Sequence, residues 1–374
     1  MKAYMFPGQG SQRKGMGESL FDEFPELTRK ADEALGYSIK ELCLQDPEQK
    51  LNQTQYTQPA LYTVNALSYL KKIQGGERPD YLAGHSLGEY NALQAAGAFS
   101  FETGLALVRK RGELMAHAKP GAMAAVINCP ETRIRGILAE WNLENVDIAN
   151  LNAPNQIIIS GLKEDVAKSQ EYFEKVDAKF IPLNTSGAFH SRFMRESATE
   201  FGHFAQGFEF AAPAVPVVAN VTARPYESGN ILQNLIEQIA SPVRWTDSVL
   251  FLLDQGVMAF EELGVGDVLT KLVANIKRSR KPSAPADSSA PASTPAPAPA
   301  EAPSAPAEPA ASGTRELVDV WNRKYPVGTR VTSELYDGEL RTRTEALILF
   351  GHRAAIYIDG YNGYFDLREL KPVA

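Results

Sequence analysis

The run Asp80-Tyr81-Leu82-Ala83-Gly84-His85-Ser86-Leu87-Gly88-Glu89-Tyr90 decides how this chain folds. Residues 80–83 read as a short buried strand and 87–96 as a helix, with a sharp turn between them. Gly84 and Gly88 remove side chains on both sides of the turn. Backbone can then approach closely, and Ser86 can be held strained and exposed. A G-x-S-x-G run also arises by chance; the strand–turn–helix context is what makes Ser86 a candidate nucleophile.

Strand and helix signals alternate on both sides of this elbow for about 280 residues, the pattern of a parallel α/β sheet. Residues 2–6 read as a strand followed by a glycine loop, and 59–72 and 101–118 as amphipathic helices. Inside the alternation sits a self-contained βαββαβ unit. Its strands fall at 122–128, 146–151, 156–161 and 179–183, its helices at 131–140 and 163–175, and its hairpin closes through Asn152-Ala153-Pro154-Asn155. That order is the ferredoxin-like split unit. The α/β pattern resumes with a helix from Arg192, a strand at 215–219, helices around 230–239 and 246–254, a strand at 257–261 and a helix at 267–276. The expected architecture is a large α/β-hydrolase-like subdomain with a parallel sheet, interrupted by a ferredoxin-like insert at about 122–187. A cleft between the two is a favoured place for a ligand.

Composition changes abruptly near Lys281. Residues 279–313 read as a Pro/Ala-rich disordered linker: apolar periodicity stops, so nothing can be buried to offset the entropy of ordering. Alternating Ala-Pro favours polyproline II, so about 30 residues could span up to ~100 Å. A proline-rich ligand for an SH3-type partner is the competing reading, and the lack of flanking basic or aromatic anchors weighs against it. Residues 314–374 read as a small β-rich, SH3-like module. A helix is expected at 315–325 and short strands at 329–335, 339–344, 346–350, 354–358 and 364–367, punctuated by turns at Asp337-Gly338, Gly351 and Asn362-Gly363.

The chain of 374 residues has room for two or three domains. With 44% hydrophobic and 22% charged residues, it has the composition of a soluble globular protein. Its net charge of −7 argues against nucleic acid as a partner and gives no attraction to anionic membranes. No apolar run approaches the roughly 20 residues that span a bilayer. The N-terminus enters a strand without the apolar h-region of a secretory signal. The two cysteines, Cys43 and Cys129, lie far apart with no ligand at metal spacing, which reads as free thiols in a reducing cytoplasm.

A serine nucleophile needs a general base and an oxyanion hole. Of five histidines, His85 adjoins Ser86 and should point away from it. His117 ends a partly exposed helix, His203 has polar neighbours on its helix, and His352 belongs to the distant module. His190 remains, in the small-residue loop Ser186-Gly187-Ala188-Phe189-His190-Ser191, where the chain returns from the insert and faces the cleft. At an elbow, one oxyanion N–H comes from the residue after the nucleophile, here Leu87, and another from a separate loop. Gly8-Gln9-Gly10-Ser11-Gln12 is placed to supply it. A glycine loop can instead cradle phosphate, but this one lacks the Lys-Ser/Thr ending of a P-loop and the third glycine of a dinucleotide site.

Taken together, Phe6-Pro7-Gly8-Gln9-Gly10-Ser11-Gln12, Thr57-Gln58-Pro59-Ala60, the Gly84 to Tyr90 run, Arg111-Gly112 and the Gly187 to Ser191 loop resemble, in order and spacing, the malonyl-CoA:acyl carrier protein transacylases. The resemblance covers residues 1–278. It implies that Ser86 accepts the acyl group, that His190 is its base, and that Gln9 and Leu87 give the oxyanion N–H groups. It further implies that Arg111 binds the free malonyl carboxylate and that Gln58, His85 and Asn152 line the pocket. A guanidinium fork suits that task because it grips a carboxylate bidentately and stays charged. The family orients its histidine with a backbone carbonyl, expected here near Ser241-Pro242-Val243-Arg244. Leu87 and Phe189 resemble the malonyl-selecting pattern.

The resemblance implies ping-pong transfer from malonyl-CoA to the phosphopantetheine thiol of an acyl carrier protein, with no metal or redox cofactor, in polyketide or fatty acid synthesis. An acyl hydrolase that clears carrier proteins is the alternative. It would not need Arg111. A generic esterase fits the elbow but not the Gln9 loop, and a non-enzymatic role is plausible only for residues 314–374. The linker and tail depart from simple transacylases, which suggests an acyltransferase acting in trans on a polyketide synthase, with the tail as its docking element.

Overall fold

The computed structural model describes residues 1–185, 187–227, 229–280, 312–333, 336–349, 353–359 and 364–373. The chain divides into two compact units, Met1–Pro285 and Ala286–Ala374. The body of the expected linker, the turns at Gly351 and Asn362-Gly363, His352 and Ser186 lie outside the described residues.

In the first unit, β1 (Lys2–Phe6) is followed by α1 (Leu20–Glu23), α2 (Pro25–Leu35), α3 (Ile39–Leu44) and α4 (Thr54–Gln74). Then come β2 (Tyr81–Gly84), α5 (Gly88–Ala95) and α6 (Phe101–Ala116). The insert contributes β3 (Ala122–Ile127), α7 (Glu131–Glu140), β4 (Val146–Ala153), β5 (Gln156–Gly161), α8 (Lys163–Glu174) and β6 (Lys179–Pro182). After a 3₁₀ turn at Arg192–Met194 follow α9 (Arg195–Ala205), β7 (Val217–Val218), α10 (Ile231–Ala240), α11 (Trp245–Asp254), β8 (Ala259–Glu262) and α12 (Val268–Ser279).

The large sheet has the order β7-β2-β1-β8 and is parallel throughout. Ala3, Tyr4, Met5 and Phe6 are all fully buried, as a central strand covered on both faces requires. Phe6 pairs with Gly84, so β1 and β2 end side by side. The loops that follow them, Gly8 to Gln12 and the Ser86 elbow, therefore leave the sheet together at its carboxyl edge. Open α/β sheets place their ligands at that edge.

The insert forms an antiparallel sheet of order β4-β5-β3-β6 around its own core of Val126, Ile134, Ile159 and Phe173. Pro120 bridges Gly187, so the strands entering and leaving the insert lie together and His190 follows directly on the exit. The β4–β5 hairpin is tighter than expected. Asn152 and Ala153 stay in β4, with Ala153 opposite Gln156, because register shifts in β4 absorb the extra residues.

Two further expectations in this unit are corrected. The helix expected to start at Pro59 begins at Thr54 and carries Pro59 inside it. The proline forfeits only one backbone bond, close to the helix start. Helices α1 to α3 were not anticipated. They are short, and α2 buries only Thr28, Ala31 and Leu35 out of a charge-rich stretch.

The second unit comprises α13 (Ser312–Lys324), β9 (Arg330–Ser333), β10 (Tyr336–Arg341), β11 (Leu347–Leu349), β12 (Arg353–Tyr357), β13 (Tyr364–Asp366) and, after a 3₁₀ turn, β14 (Leu370–Pro372). The strands form two antiparallel sheets, β10-β9-β14 and β11-β12-β13, around Val318, Trp321, Val331, Leu340 and Ile356. Asp337-Gly338 is not the expected turn. It lies within β10, where the register shifts between Tyr336 and Leu340. Glycine inside a strand commonly marks such an irregularity. Among the described residues, no helix is long and apolar enough to cross a membrane.

Candidate active site

Ser86 sits at the elbow with φ 52°, in the left-handed region that costs a residue with a side chain. Close packing dictates both flanking glycines. A Cβ on Gly84 would fall 2.0 Å from the Gly88 carbonyl, and one on Gly88 would fall 2.0 Å from the Phe6 carbonyl oxygen. The strained residue is held by side chains at both of its backbone polar groups. Its N–H donates to Asn220 Oδ1 at 2.7 Å, and its carbonyl accepts from Gln238 Nε2 at 2.7 Å. Asn220 Nδ2 donates to the Gly84 carbonyl at 2.6 Å, completing the clamp.

The Ser86 hydroxyl lies 2.7 Å from His190 Nε2. His190 Nδ1 faces the carbonyls of Gln238 at 2.9 Å and Ser241 at 3.2 Å. Two acceptors on Nδ1 assign the proton there and leave Nε2 free to accept from the serine. Ser241 is the expected orienting carbonyl, but Gln238 is nearer and lies outside the predicted segment. Burial, and then the Arg111 cation, push the His190 pKa down to about 3. The imidazole is therefore neutral and able to accept a proton at neutral pH.

Arg111, on α6, is 1% exposed. Its Nη1 donates to Gln58 Oε1 at 2.9 Å; its Nη2 donates to Gln238 Oε1 at 2.9 Å and to Ser86 Oγ at 3.2 Å. Its Nε has no partner among the described residues. The guanidinium also lies over the Tyr90 ring, 5.6 Å from its centroid. Burial lowers its pKa, yet an arginine remains a cation. All of these acceptors are neutral, so a buried positive charge faces the nucleophile.

The remaining predicted residues gather around this centre. Gly8 packs on the elbow: a Cβ there would sit 2.4 Å from the His85 carbonyl oxygen and 3.6 Å from the Leu87 nitrogen. Gln9 follows it, with Nε2 donating to Thr54 Oγ1 at 3.3 Å. His85 lines the same cavity, and its Nε2 lies 2.8 Å from Asn152 Oδ1. Gln58 sits against Arg111, as given above. Leu87 is fully buried beneath the elbow, whereas Phe189 lines the cavity.

That cavity, about 290 Å³, is lined on one side by Gln9, Ser86 and Arg111 and on the other by Asn150, Asn152 and Ile158 of the insert. Leu183 and Val268, both exposed, contribute to its lining as well. Among the described residues, no cluster of His, Cys, Asp or Glu is placed to hold a metal ion.

Sequence reasoning missed Asn220, Gln238, Glu89 and Tyr226. Glu89 is fully buried at the start of α5; its Oε1 accepts from Tyr226 Oη at 2.6 Å and Asn220 N at 2.9 Å, and its Oε2 from Gln238 Nε2 at 2.6 Å. The available signal was a carboxylate one residue past the elbow, flanked by Leu87, Tyr90 and Leu93 on a helix that turns inward.

Residues 3–294 match the family described as the acyl transferase domain, and the chain belongs to that family. It is 57% identical over 286 residues to the polyketide biosynthesis malonyl CoA-acyl carrier protein transacylase BaeC of Bacillus velezensis, covering 76% of this chain and 99% of that one. The crystal structure of malonyl CoA-acyl carrier protein transacylase from Burkholderia pseudomallei superposes with a TM-score of 0.74 at 52% identity, covering 75% of this chain and 99% of that chain. A type II polyketide acyl carrier protein in complex with its malonyl-transacylase matches with a TM-score of 0.71 at 37% identity, over 74% and 93% of the two chains.

Proposed function

We propose that this chain moves a malonyl group from malonyl-CoA to the phosphopantetheine thiol of an acyl carrier protein, through a malonyl ester on Ser86. The observation that carries the reading is the buried Arg111 guanidinium, 3.2 Å from the Ser86 hydroxyl and held only by neutral acceptors. A buried cation with no carboxylate bonded to it is costly, and a substrate carboxylate on its donors relieves that cost. An acyl chain ending in a carboxylate, reaching from Ser86 to Arg111, is the substrate that this geometry fits.

In the first half-reaction His190 Nε2 takes the Ser86 proton as Oγ attacks the thioester carbonyl. The tetrahedral oxyanion lies against the N–H groups of Leu87 and Gln9. Its collapse breaks the C–S bond, and His190 returns the proton to the departing CoA thiolate. In the second half-reaction the carrier thiol gives its proton to His190 and attacks the ester carbonyl. The malonyl group leaves on sulfur, and His190 reprotonates Ser86. Both halves balance in atoms and charge with no redox group or metal. His85 and Asn152 shape the pocket wall, and Gln58 holds Arg111.

The chain's organisation is part of the same reading. Residues 1–278 form the transferase domain, whose α/β-hydrolase-like part carries Ser86; the insert at about 122–187 is ferredoxin-like, a reading supported by its antiparallel 2-3-1-4 strand order. Residues 279–313 are a linker, and 314–374 an SH3-like module that docks on a polyketide synthase. The polyketide context rests on the relative from Bacillus velezensis, and a carrier protein as acceptor on the solved complex. A cytoplasmic location follows from that pathway.

Intact-mass measurement after exposure to malonyl-CoA tests the proposal. The wild type should gain one malonyl group, Ser86→Ala none, and Arg111→Ala much less. Release of free malonate in place of transfer to holo carrier protein would favour the hydrolase alternative.

A further inference from the structure

The mechanism above leaves one buried acid unused. Glu89 reaches no further than Asn220, Tyr226 and Gln238, yet two of these hold the backbone of Ser86. Its Oε1 accepts from the Asn220 backbone N–H, and the Asn220 side chain clamps Ser86 N and Gly84 O. Its Oε2 accepts from Gln238 Nε2, which also donates to the Ser86 carbonyl. That fixes the Gln238 amide with Oε1 toward Arg111.

We propose that Glu89 is a positioning residue for acyl transfer: as a carboxylate it locks the Gln238 amide in the orientation that holds both the Ser86 backbone and the Arg111 guanidinium. The inference rests on the transfer reading and deepens it. An amide has one donor end and one acceptor end. With a carboxylate at position 89, the donor end of Gln238 faces Glu89 and Ser86 O, and the acceptor end faces Arg111. A proton on Oε2, or an amide in its place, sets donor against donor. Relief requires Gln238 to flip, which turns its NH₂ toward Arg111 and leaves the Ser86 carbonyl with the Glu89 backbone N–H but without its side-chain partner. The nucleophile's strained backbone and the carboxylate clamp then loosen together.

The same geometry makes the site sensitive to pH. The titratable groups facing Glu89 are Tyr90 on its own helix, Arg111 from α6 and Tyr226 from the segment after β7; Asn220 and Gln238 complete its surroundings as neutral groups. Burial raises the Glu89 pKa to about 7, opposed by the bonds from Tyr226, Asn220 and Gln238 and by Arg111. His190, depressed to about 3, stays neutral across that range. The acid limb of acylation therefore belongs to Glu89.

The test is the single-turnover rate of Ser86 malonylation from pH 5.5 to 8.5, read by quench and intact mass on the full chain, with circular dichroism as the check on folding. The wild type should show an acid limb near pH 7, the raised pKa of Glu89. Glu89→Gln should lose about tenfold or more at pH 8 and show no limb, as expected when catalytic geometry slips. Tyr226→Phe, which removes one bond favouring the carboxylate, should move the limb to higher pH. A wild-type rate and limb in Glu89→Gln would overturn the proposal. So would an unshifted limb in Tyr226→Phe, which decides the matter if Glu89→Gln does not fold. Failure of the wild type to acquire malonate at any pH would overturn the transfer reading instead.

Discussion

Arg111 Nη2 donates to Ser86 Oγ at 3.2 Å, so the cation that is to grip the substrate's carboxylate rests on the nucleophile itself. The contact has a direct consequence for selectivity. A malonyl ester must take over the guanidinium's donors, whereas an acetyl ester leaves them pointing at nothing charged. Arg111→Ala should lower kcat/KM for malonyl-CoA by about 2–5 kcal/mol, the cost of truncating a buried charge pair, while labelling by acetyl-CoA changes little. Arg111→Lys should recover only part of the loss, because an ammonium lacks the planar fork. Equal loss on both substrates would assign Arg111 to the fold instead of to recognition.

The elbow makes a prediction about stability. A methyl group on Gly88 meets the Phe6 carbonyl oxygen at 2.0 Å, backbone against backbone with no flexible side chain to yield. Gly88→Ala should cost about 1–3 kcal/mol or more, seen as a lowered urea midpoint. Malonylation should fall with it, since β1 and the elbow must separate. Gly10→Ala is a useful contrast. It has φ 103° but no heavy atom near an added Cβ, so its cost is conformational alone.

These two cases mark the boundary of what the sequence discloses. Ser86 and His190 were legible because each sits in a short local pattern with a chemical meaning, a turn between glycines and a small-residue loop, whereas Arg111, next to Lys110 and near Arg109, stood out only through the family resemblance. Asn220, Gln238 and Tyr226 carry no such pattern. They are ordinary polar residues beyond the insert, and they acquire meaning only when β7 and α10 bring them beneath the elbow. The same distinction explains the fold. Alternating strands and helices were readable from apolar runs, and the β4–β5 hairpin from its proline turn. Helix α2 hid its few buried residues among charges, and Asp337-Gly338 imitated a turn while lying in a strand whose register shifts.

Stability should also depend on His190 in a defined direction. Its folded pKa is about 3, below the ordinary value of 6.5. Between those values the unfolded chain binds a proton that the folded protein refuses. Stability is thus fully present above pH 6.5 and falls as pH drops toward 3. One proton sets the slope at about 1.4 kcal/mol per pH unit. Asparagine tolerates the φ of 57° found at this position, so His190→Asn is the suitable reference. The stability difference between wild type and His190→Asn should shrink by up to that slope on acidification. Comparing the two also cancels Glu89, whose raised pKa acts in the opposite sense. A difference independent of pH would place the imidazole in a solvated setting.

The C-terminal unit supplies the last prediction. Its core of Val318, Trp321, Val331 and Ile356 is closed by its own helix and strands. The first unit likewise buries its sheet and insert with residues up to Ile276. Removing residues 282–374 therefore takes no side chain out of the cores that build the Ser86 site. The truncated chain should transfer malonyl to an isolated holo carrier protein at a rate close to that of the full chain. If the module docks on a synthase, transfer to the same carrier domain embedded in its polyketide synthase should weaken, with KM rising more than kcat falls. The added-back module should compete with the full-length enzyme for that synthase. Equal loss on isolated and embedded carriers would place residues 282–374 in the catalytic unit's own function and remove the case for docking.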